Sequence, residues 1–224
     1  TEIYTLSLHD ALPIFWYVYQ LWEGKLSPAQ GTELIHRVEA EVGPVYWMFD
    51  RLVCRHSSAP GQMELYVPEG WPEVAGVDCF TGYAMFSTWP IDTYEGLAPL
   101  YRGYSDAGRA AGHKVMLPRH PGHDNSRQNP EPYRMPRRDG ETFRGFWRAA
   151  EEGGADFMMV TSFNEWPETT IIEPSLTWGD PYQYLKLIAE LKGGLFTAPP
   201  LPPMAHVDPL MVEYLERRYG PGLP

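Results

Sequence analysis

Three glutamates in the stretch TSFNEWPETTIIEPS, residues 161–175, are the side chains best suited to chemistry in this sequence. Glu165, Glu168 and Glu173 fall within nine positions, directly after an apolar run. Cleavage of a glycosidic bond needs one carboxyl group to protonate the leaving oxygen and a second carboxylate to act on the other side of the sugar. Two neighbouring acids also separate their pKa values, because each charge disfavours the other. Glu165 and Glu168 are therefore candidates for such a pair, and a solvated loop after a strand is the alternative.

The elements that must position these acids can be predicted from hydrophobic patterning. Continuous apolar runs predict buried strands at 44–50, 77–84, 113–119 and 155–163, with a possible fifth at 14–22. Apolar residues at helical spacing predict amphipathic helices at 28–43, 93–111, 140–154 and 180–194. Helices that alternate with strands of this kind are typical of a parallel sheet covered by helices.

The fold class predicted from this order is α/β. The predicted strands recur roughly every 30 to 45 residues, which suits βα units. A (β/α)₈ TIM barrel has eight strands and about 250 residues, so we expect an incomplete barrel whose N-terminal strands are missing. A doubly wound sheet is the alternative, although no G-x-G-x-x-G or P-loop opens any of the predicted helices.

The chain divides into three parts by composition. Residues 1–14, TEIYTLSLHDALPI, resemble a translated sequencing adapter and are predicted to be a non-native artefact. Residues 15–195 are predicted to form the partial barrel, and residues 196–224 a proline-rich linker followed by a short helix. Missing strands would leave an open sheet edge and exposed apolar faces, which favour aggregation. We therefore expect residues 15–224 alone to express poorly and to lack activity.

Charge and composition exclude several classes of partner. A net charge of −11 argues against a nucleic-acid partner, and the apolar runs are shorter than the roughly 20 residues that a membrane span needs. Cys54 and Cys79 are the two cysteines, and both are expected to be reduced. With 8 Trp, 14 Tyr and 9 Phe the chain is rich in aromatic residues, which mildly favours a carbohydrate ligand.

Polar and ionisable residues follow the predicted strands where a barrel would have its active site, at the carboxyl ends of the strands. They are Asp50, Tyr83, Arg119 with His120, and Asn164 with Glu165. Only 56 residues follow Glu168, and they predict no further strand. A partner for either glutamate on a later strand is therefore not expected, and the two acids must act together locally.

The sequence FNEWPETTIIEPS resembles the NEW-x-E-(G/T)-x-x-IEP signature of glycoside hydrolase family 99, the endo-α-mannosidases and endo-α-1,2-mannanases. HPGHDNSR resembles the PG-Y-D-D-T-x-R loop of that family, and PYQYLKLIAE resembles the helix after its signature. The resemblance spans about residues 45–192. It implies a (β/α)₈ barrel that cleaves an α-mannan or N-glycan chain with retention and without a metal or other cofactor.

The resemblance also implies roles for individual residues. Glu165 would deprotonate the 2-hydroxyl of the sugar, which closes on C1 to give a 1,2-anhydro sugar, and Glu168 would be the acid/base. Glu173 would orient the loop. The residues predicted to bind the oligo- or polysaccharide substrate are Tyr83, His123, Asp124, Arg127, Asn164 and Trp166.

This chain departs from the family pattern near the acids. Pro167 and Thr169 stand where the family commonly has His and Gly, and His123 and Asn125 stand where it has Tyr and Asp. These departures leave the substrate open. Two alternatives to this hydrolase remain. One is a metal-dependent hydrolase built on the 120–127 loop, where His120, His123 and Asp124 offer three ligand groups; the other is a non-catalytic carbohydrate-binding barrel.

Overall fold

The computed structural model describes residues 14–15, 27–50, 53–56, 63–66, 74–82, 93–128, 130, 132, 134–176, 178–201, 209, 213 and 216–217. The chain separates into two compact units, residues 1–170 and residues 171–224, and each is described by itself. The boundaries predicted after residues 14 and 195 stay predictions.

The described strands are short, and four helices accompany them. The strands are β1 (Ile14–Phe15), β2 (Met48–Asp50), β3 (Val53–His56), β4 (Met63–Tyr66), β5 (Cys79–Thr81), β6 (Lys114–Arg119), β7 (His123–Asp124), β8 (Arg134–Met135) and β9 (Phe157–Val160). The helices are α1 (Pro28–Val42), α2 (Tyr94–Ala110), α3 (Glu141–Glu152) and α4 (Gln183–Leu191), with a 3₁₀ turn at Arg138–Gly140. Among these described helices, none is long and apolar enough to cross a membrane.

One parallel sheet organises the first unit. Its order is β1-β2-β5-β6-β9, and each strand pairs in parallel with the next. The strands therefore lie side by side in chain order, whereas a doubly wound sheet reverses its order at a switch point. The predicted α/β class with a parallel sheet is confirmed. The antiparallel pairs β3–β4 and β7–β8 were not predicted.

The core of the first unit lies between the sheet and the helices α2 and α3. Val115 and Leu117, on one face of β6, belong to a buried cluster with Tyr101 and Tyr104 of α2 and Phe146 of α3. The hydroxyl group of Tyr101 donates a 2.6 Å hydrogen bond to the carbonyl oxygen of Pro118. The buried ring therefore has a partner for its one polar group.

The opposite face of the sheet is curved. Tyr46 precedes β2, Phe157 begins β9, and two strands separate β2 from β9 in the sheet. At about 4.8 Å per strand, the axes of β2 and β9 would lie about 14 Å apart in a flat sheet. The ring centroids are nevertheless 6.0 Å apart, in an edge-to-face contact. The sheet therefore bends towards this face, with α2 packed on the other side.

Because α2 packs closely on β6, we expect Gly108→Ala to destabilise the protein. A Cβ atom at Gly108 would lie 2.2 Å from Cγ2 of Val115, which is 1% exposed and has no room to move away. We expect the free energy of unfolding to fall by about 1–3 kcal/mol, as measured by urea denaturation. Gly179→Ala is the matched control, because nothing lies within 4 Å of its added Cβ. Equal stability of the two variants would contradict this packing.

The second unit contains α4 and the turns before it. Trp178 packs edge-to-face on the buried Tyr184 with 5.2 Å between ring centroids. Asp180 accepts a 2.6 Å hydrogen bond from Nζ of Lys186. The helix predicted after the proline-rich segment lies mostly outside the described residues, and the residues described there, 213 and 216–217, are helical.

Candidate functional site

The loops that follow β6 and β9 leave the sheet at one edge. Arg119 of β6 lies opposite Val160 of β9, and the amide of Thr161 donates a 3.0 Å hydrogen bond to the carbonyl oxygen of Arg119. Segments 120–124 and 161–170 are therefore neighbours. This edge is the carboxyl end of the strands, where ligand sites form in parallel α/β folds.

The segment 161–170, here called the acid loop, is closed by bonds between its own residues. The amide of Ser162 donates to the carbonyl oxygen of Thr170 at 2.9 Å, and the hydroxyl groups of these residues lie 2.8 Å apart. The Ser162 hydroxyl oxygen also accepts a 2.9 Å bond from the amide of Glu165. Glu165 and Glu168 thus lie on one closed turn.

Three consecutive carbonyl oxygens of the acid loop accept hydrogen bonds, two of them from outside the loop and one from within it. Glu168 accepts from the amide of Asp124 at 2.8 Å, and Thr170 accepts from Ser162. Between them, Thr169 accepts from Nη2 of Arg137 at 2.6 Å. Thr169 has a φ of 53°, a left-handed conformation that is uncommon for a β-branched residue. The bonds on both sides hold Thr169 in that conformation.

Arg137 crosses the 120–124 segment to reach the acid loop. Gly122 has a φ of +150°, and a Cβ atom there would lie 2.5 Å from Cγ of Arg137. Only glycine leaves room for the aliphatic stem of Arg137 at this point. Arg137 therefore links the 120–124 segment to the acid loop.

Arg137→Met is expected to loosen the acid loop. A hydrogen bond from a charged donor contributes about 1.5–3 kcal/mol, so its loss should speed hydrogen exchange of the Asp124 and Ser162 amides by about tenfold or more. Exchange followed by NMR measures this effect. Arg148→Met is the control, because Arg148 bonds to Glu152 and lies over the ring of Tyr94. Unchanged exchange in Arg137→Met would contradict the proposed link.

Electrostatics differ between the acids of this edge. Burial, and then the charge of Glu165, raises the pKa of Glu168 above its usual range. Burial lowers the pKa of His123, partly opposed by the charge of Asp124. Hydrogen bonds from Ser126 lower the pKa of Asp124. Glu168 therefore keeps its proton to higher pH than an ordinary glutamate, and Asp124 stays ionised to lower pH than an ordinary aspartate.

The predicted substrate-binding residues are only partly brought together. Nδ1 of His123 lies 4.0 Å from Oε2 of Glu168. Asn164 is exposed beside Glu165, as is Trp166 at 42%. Arg127 is exposed in the turn at 126–128. Tyr83 and the side chain of Asp50 lie outside the described residues.

Two strand-end residues singled out in the sequence lie in the interior. Arg119 is 1% exposed, and its guanidinium group stacks over the ring of Trp147 at 4.6 Å. Burial lowers the pKa of Arg119 to about 10. His120 is buried with its ring 5.1 Å from that of Phe146. Arg119 therefore packs on α3.

Sequence reasoning missed two residues of this edge. Phe163 is 53% exposed next to Asn164, but its place in the apolar run 155–163 assigned it to a strand that ends at Val160. Arg137 was missed because its partner in the acid loop is 32 residues away. Two exposed aromatic side chains thus lie close to Glu165 in the sequence. They are Phe163 and Trp166.

Within the part of the chain that the structure describes, no group of three or more His, Cys, Asp or Glu side chains is arranged to hold a metal ion. The carboxylate oxygen that lies 4.0 Å from Nδ1 of His123 belongs to Glu168, which was not among the three ligand groups expected for a metal.

Comparison with known proteins finds a likeness in structure. No sequence profile of a known family matches the chain, and no curated protein matches it. The GH99 endo-α-mannosidase from Bacteroides thetaiotaomicron superposes with a TM-score of 0.52 and 19% identity, over 75% of this chain and 53% of that one. Its complex with bis-tris-propane gives a TM-score of 0.45 and 23% identity, over 54% of this chain and 41% of that one.

The first of these superpositions shows that the two proteins share a fold. At 19% identity the likeness concerns the fold alone. The chain spans about half the length of the solved structures that it matches. Activity therefore has to be argued from the acid loop itself.

Proposed function

We propose that this protein is a retaining glycoside hydrolase that acts on α-mannosides, with Glu165 and Glu168 as its catalytic carboxylates. The observation that supports it is the acid loop, which holds both glutamates on one turn at the carboxyl edge of a parallel sheet. Most glycosidases have two carboxylates that flank the sugar. The resemblance to glycoside hydrolase family 99 implies instead a reaction in which neither carboxylate attacks carbon.

The acid role is assigned to Glu168 from its environment, and the base role of Glu165 is the one that the resemblance implies. The raised pKa of Glu168 suits a general acid, and its causes are burial and the neighbouring Glu165. In the first step Glu165 takes the proton of the 2-hydroxyl, O2 bonds to C1, the glycosidic bond breaks, and Glu168 protonates the leaving oxygen. In the second step Glu168 takes a proton from water, the water oxygen bonds to C1, the C1–O2 bond breaks, and Glu165 returns its proton to O2. Two inversions at C1 give net retention.

The stereochemistry of this reaction suits α-mannosides, as it does other 1,2-trans glycosides, and it excludes α-glucosides. Attack by O2 on C1 needs the 2-hydroxyl opposite the leaving group, an arrangement that α-mannosides have and α-glucosides lack. Phe163 and Trp166 are exposed beside the acids and could pack on apolar sugar faces. Asn164, Asp124, Arg127 and Tyr83 are proposed to bind the sugar hydroxyl groups, because Asn164, Asp124 and Arg127 lie in segments that resemble family 99 and Tyr83 ends a predicted strand.

A (β/α)₈ barrel is proposed as the complete architecture. The strands follow chain order and the sheet bends away from α2. The last strand of the described sheet, β9, exposes Phe157 and Met158, on opposite faces. A further strand beside β9 would cover these side chains, as closure of a barrel requires.

Cleavage assays on the full-length protein test this function. We expect hydrolysis of α-mannan oligosaccharides, none of matched α-glucans, and no loss of rate in EDTA. Loss of rate in EDTA, with Glu165→Gln still active, would favour the metal-dependent hydrolase instead. Binding of α-mannan without any product would favour a carbohydrate-binding barrel.

A further inference from the structure

His123 lies beside Glu168 although 45 residues separate them in the sequence. The distance between Nδ1 of His123 and Oε2 of Glu168 is 4.0 Å, with His123 6% exposed and Glu168 33% exposed. The next amide along the chain, that of Asp124, donates a 2.8 Å hydrogen bond to the carbonyl oxygen of Glu168. A backbone bond therefore holds the two segments together at the point where these side chains approach each other.

Charged groups surround this pair on each of the neighbouring elements. Asp124 follows His123 on β7, and Arg134 of the paired strand β8 lies 3.5 Å from the Asp124 carboxylate. Arg137 follows β8 and reaches the acid loop, which contributes Glu165 and Glu168. The Asp124 charge is thus already matched by Arg134, and the carboxylate facing Nδ1 of His123 is that of Glu168.

Burial favours the uncharged form of both His123 and Glu168. It lowers the pKa of His123 and raises the pKa of Glu168. Each side chain is therefore driven towards its uncharged form, and the contact is not a simple ion pair. A neutral imidazole beside a carboxyl group can donate through one nitrogen.

We propose that His123 is a positioning residue whose Nδ1–H donates a hydrogen bond to Oε2 of Glu168. A side-chain movement of about 1 Å brings the 4.0 Å distance to hydrogen-bonding length. The bond leaves the proton of Glu168 on Oε1, the oxygen then available to a leaving group. This role rests on the proposed function only in that last step.

Substitutions at His123 distinguish the contribution of one ring nitrogen from that of the other. Asn carries its amide close to the position of Nδ1, whereas Gln carries it close to Nε2, and Leu carries no donor. Hydrogen bonds to a carboxylate lower its pKa, so His123→Leu and His123→Gln should raise the pKa of Glu168 by about one unit. His123→Asn should keep the wild-type value. Titration of the ¹³C-labelled glutamate side chains by NMR in the full-length protein measures this.

Kinetics on an α-mannoside provide the second readout. We expect kcat to fall at least about tenfold in the Leu and Gln variants with KM nearly unchanged, and His123→Asn to restore it. An unmoved Glu168 pKa in His123→Leu, or His123→Asn behaving like Leu, would overturn the proposal. If the titrations move as expected but no variant or wild type cleaves mannosides, the proposed reaction fails and the contact stands.

The reciprocal variant keeps the test open if His123→Leu does not fold. Glu168 is partly exposed, so Glu168→Leu should be tolerated. In the wild type ¹⁵N spectra should show the proton of neutral His123 on Nδ1, and in Glu168→Leu the proton should move to Nε2. The same tautomer in both proteins would overturn the proposal.

Discussion

Glu168→Gln is expected to lower kcat on an unactivated α-mannoside by about 10²–10⁴-fold, the usual contribution of a general acid. Gln has nearly the same shape but cannot protonate the leaving oxygen. Burial and Glu165 keep the pKa of Glu168 high, so the wild-type residue holds its proton where an ordinary glutamate would lose it. As pH rises through that pKa the acid form is lost, and kcat/KM should fall with it.

Leaving-group dependence makes this expectation specific. A mannosyl fluoride or dinitrophenyl mannoside needs no proton on its leaving group, so Glu168→Gln should lose much less activity in the first step with these substrates. Glu141→Gln is the control, since Glu141 is 70% exposed and pairs with Arg144 on α3. An equal loss with both classes of substrate would show that Glu168 is not the acid.

Glu165→Gln is expected to lose about 10³-fold or more in kcat with both classes of leaving group. The proposed role of Glu165 is to take the proton from the 2-hydroxyl, which is needed whatever group departs. Selective rescue by an activated leaving group would contradict this role. Activated leaving groups should therefore restore activity to Glu168→Gln and leave Glu165→Gln inactive, and this difference distinguishes the acid from the base.

The same variant should change the titration of its neighbour. The charge of Glu165 is one cause of the raised pKa of Glu168, so its removal should lower that pKa towards the ordinary value. NMR titration of Glu168 in Glu165→Gln measures the shift. A Glu168 pKa that stays the same would place the two carboxylates too far apart to act on one sugar.

Local patterns were sufficient to predict the main elements. The apolar run KVMLPR became β6 because both faces of a central parallel strand are buried. The helix at Glu141–Glu152 was readable because Phe143, Phe146 and Trp147 share one face and are all buried. The two acids were recognised from residue types, spacing and the resemblance to a family signature, and they follow β9 as expected.

Long-range contacts were not predictable in this way. Nothing near His123 in the sequence indicates that it meets Glu168, because that contact depends on two loops converging at one sheet edge. Arg119 is polar and ends a strand, which made it resemble a site residue. Its side chain instead continues the face of Val115 and Leu117 and packs on Trp147. Alternate residues of a strand share one face, so the bounds of β6 alone place Arg119 on the same face as Val115 and Leu117.

The anomeric form of the first product tests the central claim most directly. The claim is that Glu165 and Glu168 together cleave an α-mannoside with retention. ¹H NMR of the full-length protein with an α-mannan oligosaccharide should show the α-anomer first and the β-anomer later, as mutarotation proceeds. Both Glu→Gln variants should show no product over the same period. A β-anomer formed first, or wild-type rates in both variants, would contradict the account.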